Sequence, residues 1–210
     1  MEDKKLTPQE SMSLIAQMIE TTKHRVAMPN LKISVMWAVL TILCAAIVLI
    51  AGLTCYSPWI NLVWLALPII GLPVHVVMAK KTGLAMGAKT AIDNISDKIW
   101  KSVAFVALAL SIICLVFNLF GHPEVWLVMF YFAFIIVGFG AAMQGIILKE
   151  NSYIFGGIFS IIVGFIIVAL NICMIPLLMV WVLPLYMLCF LLMFIVPAFV
   201  IRKKLNATKQ

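Results

Sequence analysis

"SVMWAVLTILCAAIVLIAGLTCYSPWINLVWLALPIIGLPVHVVMAKK", Ser34 to Lys81, is two long apolar runs joined by the turn "TCYSP" and closed by two lysines. Neither run holds an Asp, Glu, Lys or Arg before Lys80. A helix needs roughly 20 apolar residues to cross the hydrocarbon core, and lipid accepts a chain only when its backbone groups are paired within the protein. The stretch therefore reads as a membrane-spanning helical hairpin.

The same pattern extends to the C-terminus. Spans are predicted at about 33–54, 59–79, 100–120, 125–148, 153–172 and 177–200, with ends loose by a few residues. The expected fold class is all-α, a polytopic membrane protein whose six transmembrane helices form three hairpins. Trp37 to Pro58, Trp100 to Pro123 and Phe155 to Pro176 repeat a similar spacing, and each proline stands where the first turn of an even-numbered helix tolerates it. The sequence divides into an amphipathic helix over residues 1–30, one transmembrane domain over 31–201 and a basic tail over 202–210. A chain that is 65% hydrophobic and 11% charged departs from soluble domains, which are about half apolar and about a quarter charged.

Charge orients this frame. All fifteen Lys and Arg fall in the N-terminal segment (Lys4, Lys5, Lys23, Arg25, Lys32), the 80–101 region (Lys80, Lys81, Lys89, Lys98, Lys101), at Lys149, or in the tail (Arg202, Lys203, Lys204, Lys209). Cytoplasmic loops collect such residues, so both termini are expected in the cytoplasm and the protein in the cell inner membrane, with the bilayer as its partner. The turns "TCYSP", "FGHPE" and "NICMIP" then face outward, with Glu124 their only charge. A net charge of +7 spread beside membrane spans argues for topology, not for nucleic-acid binding. Glu2, Asp3, Glu10 and Glu20 leave no short apolar core for a cleavable leader, so the first span is expected to direct insertion. Trp37 and Trp100 at inner ends, and Trp59, Trp64, Trp126 and Trp181 near outer ends, suit interfacial belts.

Chemistry is sparse. The span interiors carry no Asp, Glu, Lys or Arg, which weighs against proton-coupled transport. His75 is a candidate proton acceptor or metal ligand, and more simply an interfacial histidine bonded locally. Asn61, Asn118 and Asn171 lie toward the outer ends of spans two, three and five. They could line a polar pocket with His122 and Glu124, or hydrogen-bond between helices for about 1 kcal/mol each, and Gln144 is read in the same way. Cys55 and Cys173 each stand three residues before a turn proline, so a disulfide between the first and third turns is open beside the plainer reading as small apolar residues. Met187 and Met193 around Cys189 suggest a soft-metal path or, more simply, core packing. No catalytic residue, metal set or cofactor is assigned.

Packing signals are stronger. Gly156, Ser160 and Gly164 recur every four residues, while Gly138 with Ala142 and Ala141 with Gly145 repeat that spacing on the preceding span. Small residues let helices approach closely in lipid, so spans four and five are expected to pack against each other. Pro68, Pro73, Pro184 and Pro197 permit kinks in spans two and six.

The amphipathic helix begins at a capping box, with Thr7 at the cap, Pro8 at the first helical position and Glu10 reaching back. Met12, Ile15, Ile19, Thr22 and Val26 share one face, and Pro29 is expected to end the helix before the first span. In "TGLAMGAKTAIDNISDKIW", Leu84, Ala88, Ile92, Ile95 and Ile99 form a second stripe, so the two segments are candidates for a small cytoplasmic cap.

"ESMSLIAQMIETTK" (Glu10 to Lys23), Trp37, "WLALPIIG" (Trp64 to Gly71) and "TAIDNISDKIW" (Thr90 to Trp100) resemble a family of small bacterial six-span integral membrane proteins with an N-terminal amphipathic helix and no assigned activity. The resemblance implies an inner-membrane protein and carries no site residue. The functional expectation is a non-enzymatic protein that offers its cytoplasmic helices to a cytoplasmic protein partner. The alternative is a small permease or channel for an uncharged or apolar solute.

Overall fold

The computed structural model describes residues 7–54, 57–86 and 91–207; the side chains of 15–30, 58, 82–86, 91–93 and 205 lie outside the description. The described chain is helical apart from short turns: α1 (Pro8–Thr54), α2 (Leu72–Met86), α3 (Ala91–Leu119), α4 (Leu127–Tyr131), α5 (Gly138–Leu148), α6 (Asn151–Ile172), α7 (Met179–Phe190) and α8 (Val196–Ala207). Two 3-10 segments, Pro58–Leu65 and Pro123–Trp126, and three π segments, Leu67–Gly71, Phe132–Val137 and Leu191–Ile195, join or extend them.

Together these elements make six spans: Leu31–Thr54, Trp59–Lys81, Asn94–Leu119, Pro123–Leu148, Asn151–Ile172 and Met179–Lys204. Each is long and apolar enough to cross a membrane, and the protein is an all-α, multi-pass membrane protein. Ile47, Ile50, Phe105, Phe155, Phe165 and Phe199 point outward, which suits lipid-facing walls.

Spans two and four start as expected, with Pro58 and Pro123 opening a 3-10 turn. The Ser57 hydroxyl accepts from the Trp59 amide at 3.4 Å. Span six differs, because Pro176 precedes its helix and α7 opens at Met179 after an extended Leu178.

Spans three, four and five share one stop. Gly121, Lys149 and Met174 take left-handed backbone, and the following amide reaches back five residues: His122 N–H to the Phe117 carbonyl at 3.0 Å, Glu150 to Gly145 at 2.9 Å, and Ile175 to Leu170 at 2.9 Å. These bonds satisfy carbonyls that a helix end leaves unpaired.

The end of the N-terminal helix also departs from the sequence reading. Pro29 does not end the N-terminal helix; α1 runs unbroken from Pro8 to Thr54. Proline lacks an amide proton and so removes one rung of the hydrogen-bond ladder, while the rungs on either side keep the helix going.

Spans four, five and six are the most enclosed, and spans two and three the most peripheral. Four and five make the closest pair. A Cβ on Gly157 would lie 2.5 Å from the Ala142 nitrogen and the Gly138 oxygen, and one on Gly145 would lie 2.6 Å from the Ile154 nitrogen. Gly138 and Ala142 thus meet Gly157 and Ser160, as the spacing of small residues implied, and Gly145 meets Tyr153 and Ile154. Gly156 does not share this face, since its Cβ would strike Leu192 of span six; its neighbour Gly157, which the spacing overlooked, takes the place. Ser160 donates to the Phe134 carbonyl at 3.0 Å, inside the π segment of span four. Gly164 lies against Phe134 and Ile135.

Candidate functional site

The N-terminal box forms as its spacing demands. The Thr7 amide and hydroxyl donate to Glu10 Oε2 at 2.8 and 2.9 Å, and the Glu10 amide donates to Thr7 Oγ1 at 3.3 Å. The bond from the Thr7 backbone, helped by that from its hydroxyl, holds the Glu10 carboxyl below its ordinary value of 4.5. Met12 and Leu14 are exposed just after the box. Ile15, Ile19, Thr22 and Val26, and Leu84, Ala88 and Ile92 of the second stripe, have side chains outside the description, as does the cap they were expected to build.

Polar contacts gather toward the basic end of the bundle. Trp37 Nε1 of span one donates to His75 Nδ1 of span two at 3.1 Å, with the rings 6.1 Å apart. The same indole lies over Gly71, where a Cβ would come within 2.4 Å of Trp37 Cζ3. Asp97 at the start of span three acts on His75 through its charge. Gln144 of span four is buried, and its Oε1 accepts from Ser96 Oγ at 2.7 Å and Trp100 Nε1 at 3.2 Å, so it ties spans three and four together. Glu150, nearly buried at the turn between spans four and five, receives the Lys204 ammonium at 2.6 Å and anchors the end of span six.

At the other end the three asparagines follow separate paths. Asn118 is buried and accepts from Trp126 Nε1 at 3.2 Å, while the Cys114 thiol of the same helix donates to the Val125 carbonyl at 3.6 Å. Asn61 is half-buried and Asn171 exposed. Among the described residues no hydrogen bond joins these asparagines, and Asn118 acts as the helix-pairing residue that its alternative reading described. His122 Nδ1 and Glu124 Oε1 pair at 2.9 Å on the exposed turn. Cys173 is exposed, while Cys55, its candidate disulfide partner, lies outside the described residues.

Two of the tryptophans expected in the belts face the protein. Trp64 and Trp126 are buried in the protein, Trp64 packed edge-on against Phe130 and Tyr186, and Trp126 bonded to Asn118. Both supply large apolar area, and Trp126 also an N–H that finds a partner, which suits an interior site as well as an interface. Tyr186 is the hub that sequence reasoning missed: Trp64, Phe130, Phe134 and Phe190 all lie within 5.7 Å of its ring centroid. Phe190 leads on to Phe194 and then Trp100, so an aromatic column runs through the bundle. Its spacing of four along span six was the available signal, diluted by the apolar residues around it.

Cys189 and Met193 are fully buried beside this column, in keeping with packing. The described residues hold no group of three or more His, Cys, Asp or Glu placed to bind a metal ion. No protein-family model, curated protein or solved structure matches the chain.

Proposed function

We propose that the chain is a non-enzymatic multi-pass protein of the inner membrane, with its basic end in the cytoplasm, that docks a cytoplasmic protein through its N-terminal helix. The carrying observation is the continuity of α1 from Pro8 to Thr54. Residues 8–30 extend the first span by about 35 Å of helix at 1.5 Å per residue. A partner seated there acts on the bundle through helix, with no loop between. The placement of basic residues supports the orientation. Interior filling by Phe134, Tyr186, Phe190 and Phe194 favours a structural bundle over a polar conduit. Affinity purification of the full chain and of a form lacking residues 1–28 tests the reading: a partner lost on truncation supports it, and identical partner sets overturn it.

A second reading, a permease for an uncharged or apolar solute, draws on the π segments in spans two, four and six, since such segments recur at functional sites. Proteoliposomes that leak such solutes no faster than empty vesicles would remove it.

A further inference from the structure

We propose that His75 is a proton-binding site that latches the first helix to span two and releases it on protonation. The donor of the latch is the Trp37 indole. Its N–H can only donate, so the imidazole nitrogen receiving Trp37 at 3.1 Å carries no proton, and His75 is neutral with its hydrogen on Nε2. An imidazolium bears a proton on both nitrogens. Protonation therefore removes the acceptor and sets two N–H groups against each other, and the indole must turn.

That turn reaches the backbone. Trp37 is pressed onto Gly71, the last residue of the π segment in span two, where even a Cβ would have no room. The bond and the ring contact thus act at one point, where α1 meets span two. Trp37 belongs to the helix that starts at Pro8, so the latch connects the described N-terminus to the membrane domain. His75 is half-buried and sits six residues before exposed Lys81, near enough to the basic end for a proton to reach it.

The charged groups around it can be named for the described residues. Asp97 from α3 is the carboxylate whose field acts on His75. Lys80 and Lys81 follow on its own helix, and Lys32 precedes Trp37 on α1; all three are exposed. Burial among apolar spans opposes a positive charge on His75, and Asp97 offsets part of that cost. The latch does not rest on the docking reading, because it is a contact within the chain.

Full-length protein labelled with nitrogen-15 at its indoles and reconstituted in nanodiscs provides the test, with Trp37 identified by W37F. Between about pH 8 and about pH 4, a window that covers the ordinary range of histidine and extends below it, the Trp37 indole signal should move between two states. Their ratio should change about tenfold per pH unit, as one proton requires. The Trp126 indole, bonded to Asn118, should stay fixed and report an intact bundle. In H75Q the amide oxygen still accepts the indole but does not titrate, so the bonded signal should persist and its pH dependence should vanish. A Trp37 signal that ignores pH in the wild type, that titrates equally in H75Q, or that moves only together with Trp126 would overturn the proposal.

Discussion

Gly157 shows at the residue scale how closely this bundle is fitted. Its missing side chain admits the backbone of Gly138 and Ala142 at distances no Cβ tolerates. Gly140 is a fair control, since a Cβ there would meet only the Trp100 and Val103 side chains at 3.5 Å. Gly157→Ala should therefore lower the stability of the folded bundle by about 1–3 kcal/mol through overpacking, whereas Gly140→Ala should change it little. Reversible unfolding of both variants in one detergent checks this, and equal effects would show that spans four and five do not meet as described. Ser160 adds a directional bond to the same contact, worth about 0.6–1.7 kcal/mol in membrane helices.

The N-terminal helix shows which elements local chemistry can specify. Thr7, Pro8 and Glu10 are neighbours in sequence, so their box needs no tertiary partner and was legible at once. Its stability should depend on pH with a definite sign. The carboxyl is depressed below 4.5 in the helix, so its contribution is fully present above that value and is lost as pH falls through the lower folded value. Protection of the amides at residues 9–12, measured against the intrinsic exchange rate at each pH, should therefore fall as the solution is acidified below about pH 4.5, and Glu10→Ala should remove the dependence. Exchange rates that keep their protection at low pH would refute the role of Glu10. Pro29 shows the opposite limit: a strong local stop signal was overridden because helix lay on both sides of it.

At the scale of the whole molecule, the charge pattern and the threading define two unlike ends. Alternation of the spans puts Lys32, Lys80, Lys81, Lys98, Lys101, Lys149 and Arg202 to Lys204 at one end, and Cys173 and Glu124 at the other. In a Cys55→Ser background, a membrane-impermeant maleimide should label Cys173 in intact spheroplasts. Cys44, Cys114 and Cys189, all buried, should label only on denaturation. Labelling of Cys173 only after the membrane is opened would reverse the proposed orientation. The Glu150 to Lys204 pair matters at this scale because it closes the bundle, joining the turn after span four to the end of span six.

Sequence by itself determined the number of spans, their approximate ends, the helical class, the capping box and the pairing of spans four and five through small residues. Each follows from length, local hydrogen bonding or a spacing along one helix. Tertiary structure alone decided that Gly157 and not Gly156 faces span four, that Trp64 turns inward to Tyr186 and Trp126 to Asn118, and that Trp37 reaches His75. The reason is physical. A span that is apolar on every side has no face marked by hydrophobicity, because lipid tails are as apolar as a neighbouring helix. Each π segment also inserts an extra residue into a helix that turns about 100° per residue, so the face beyond it cannot be read from regular spacing.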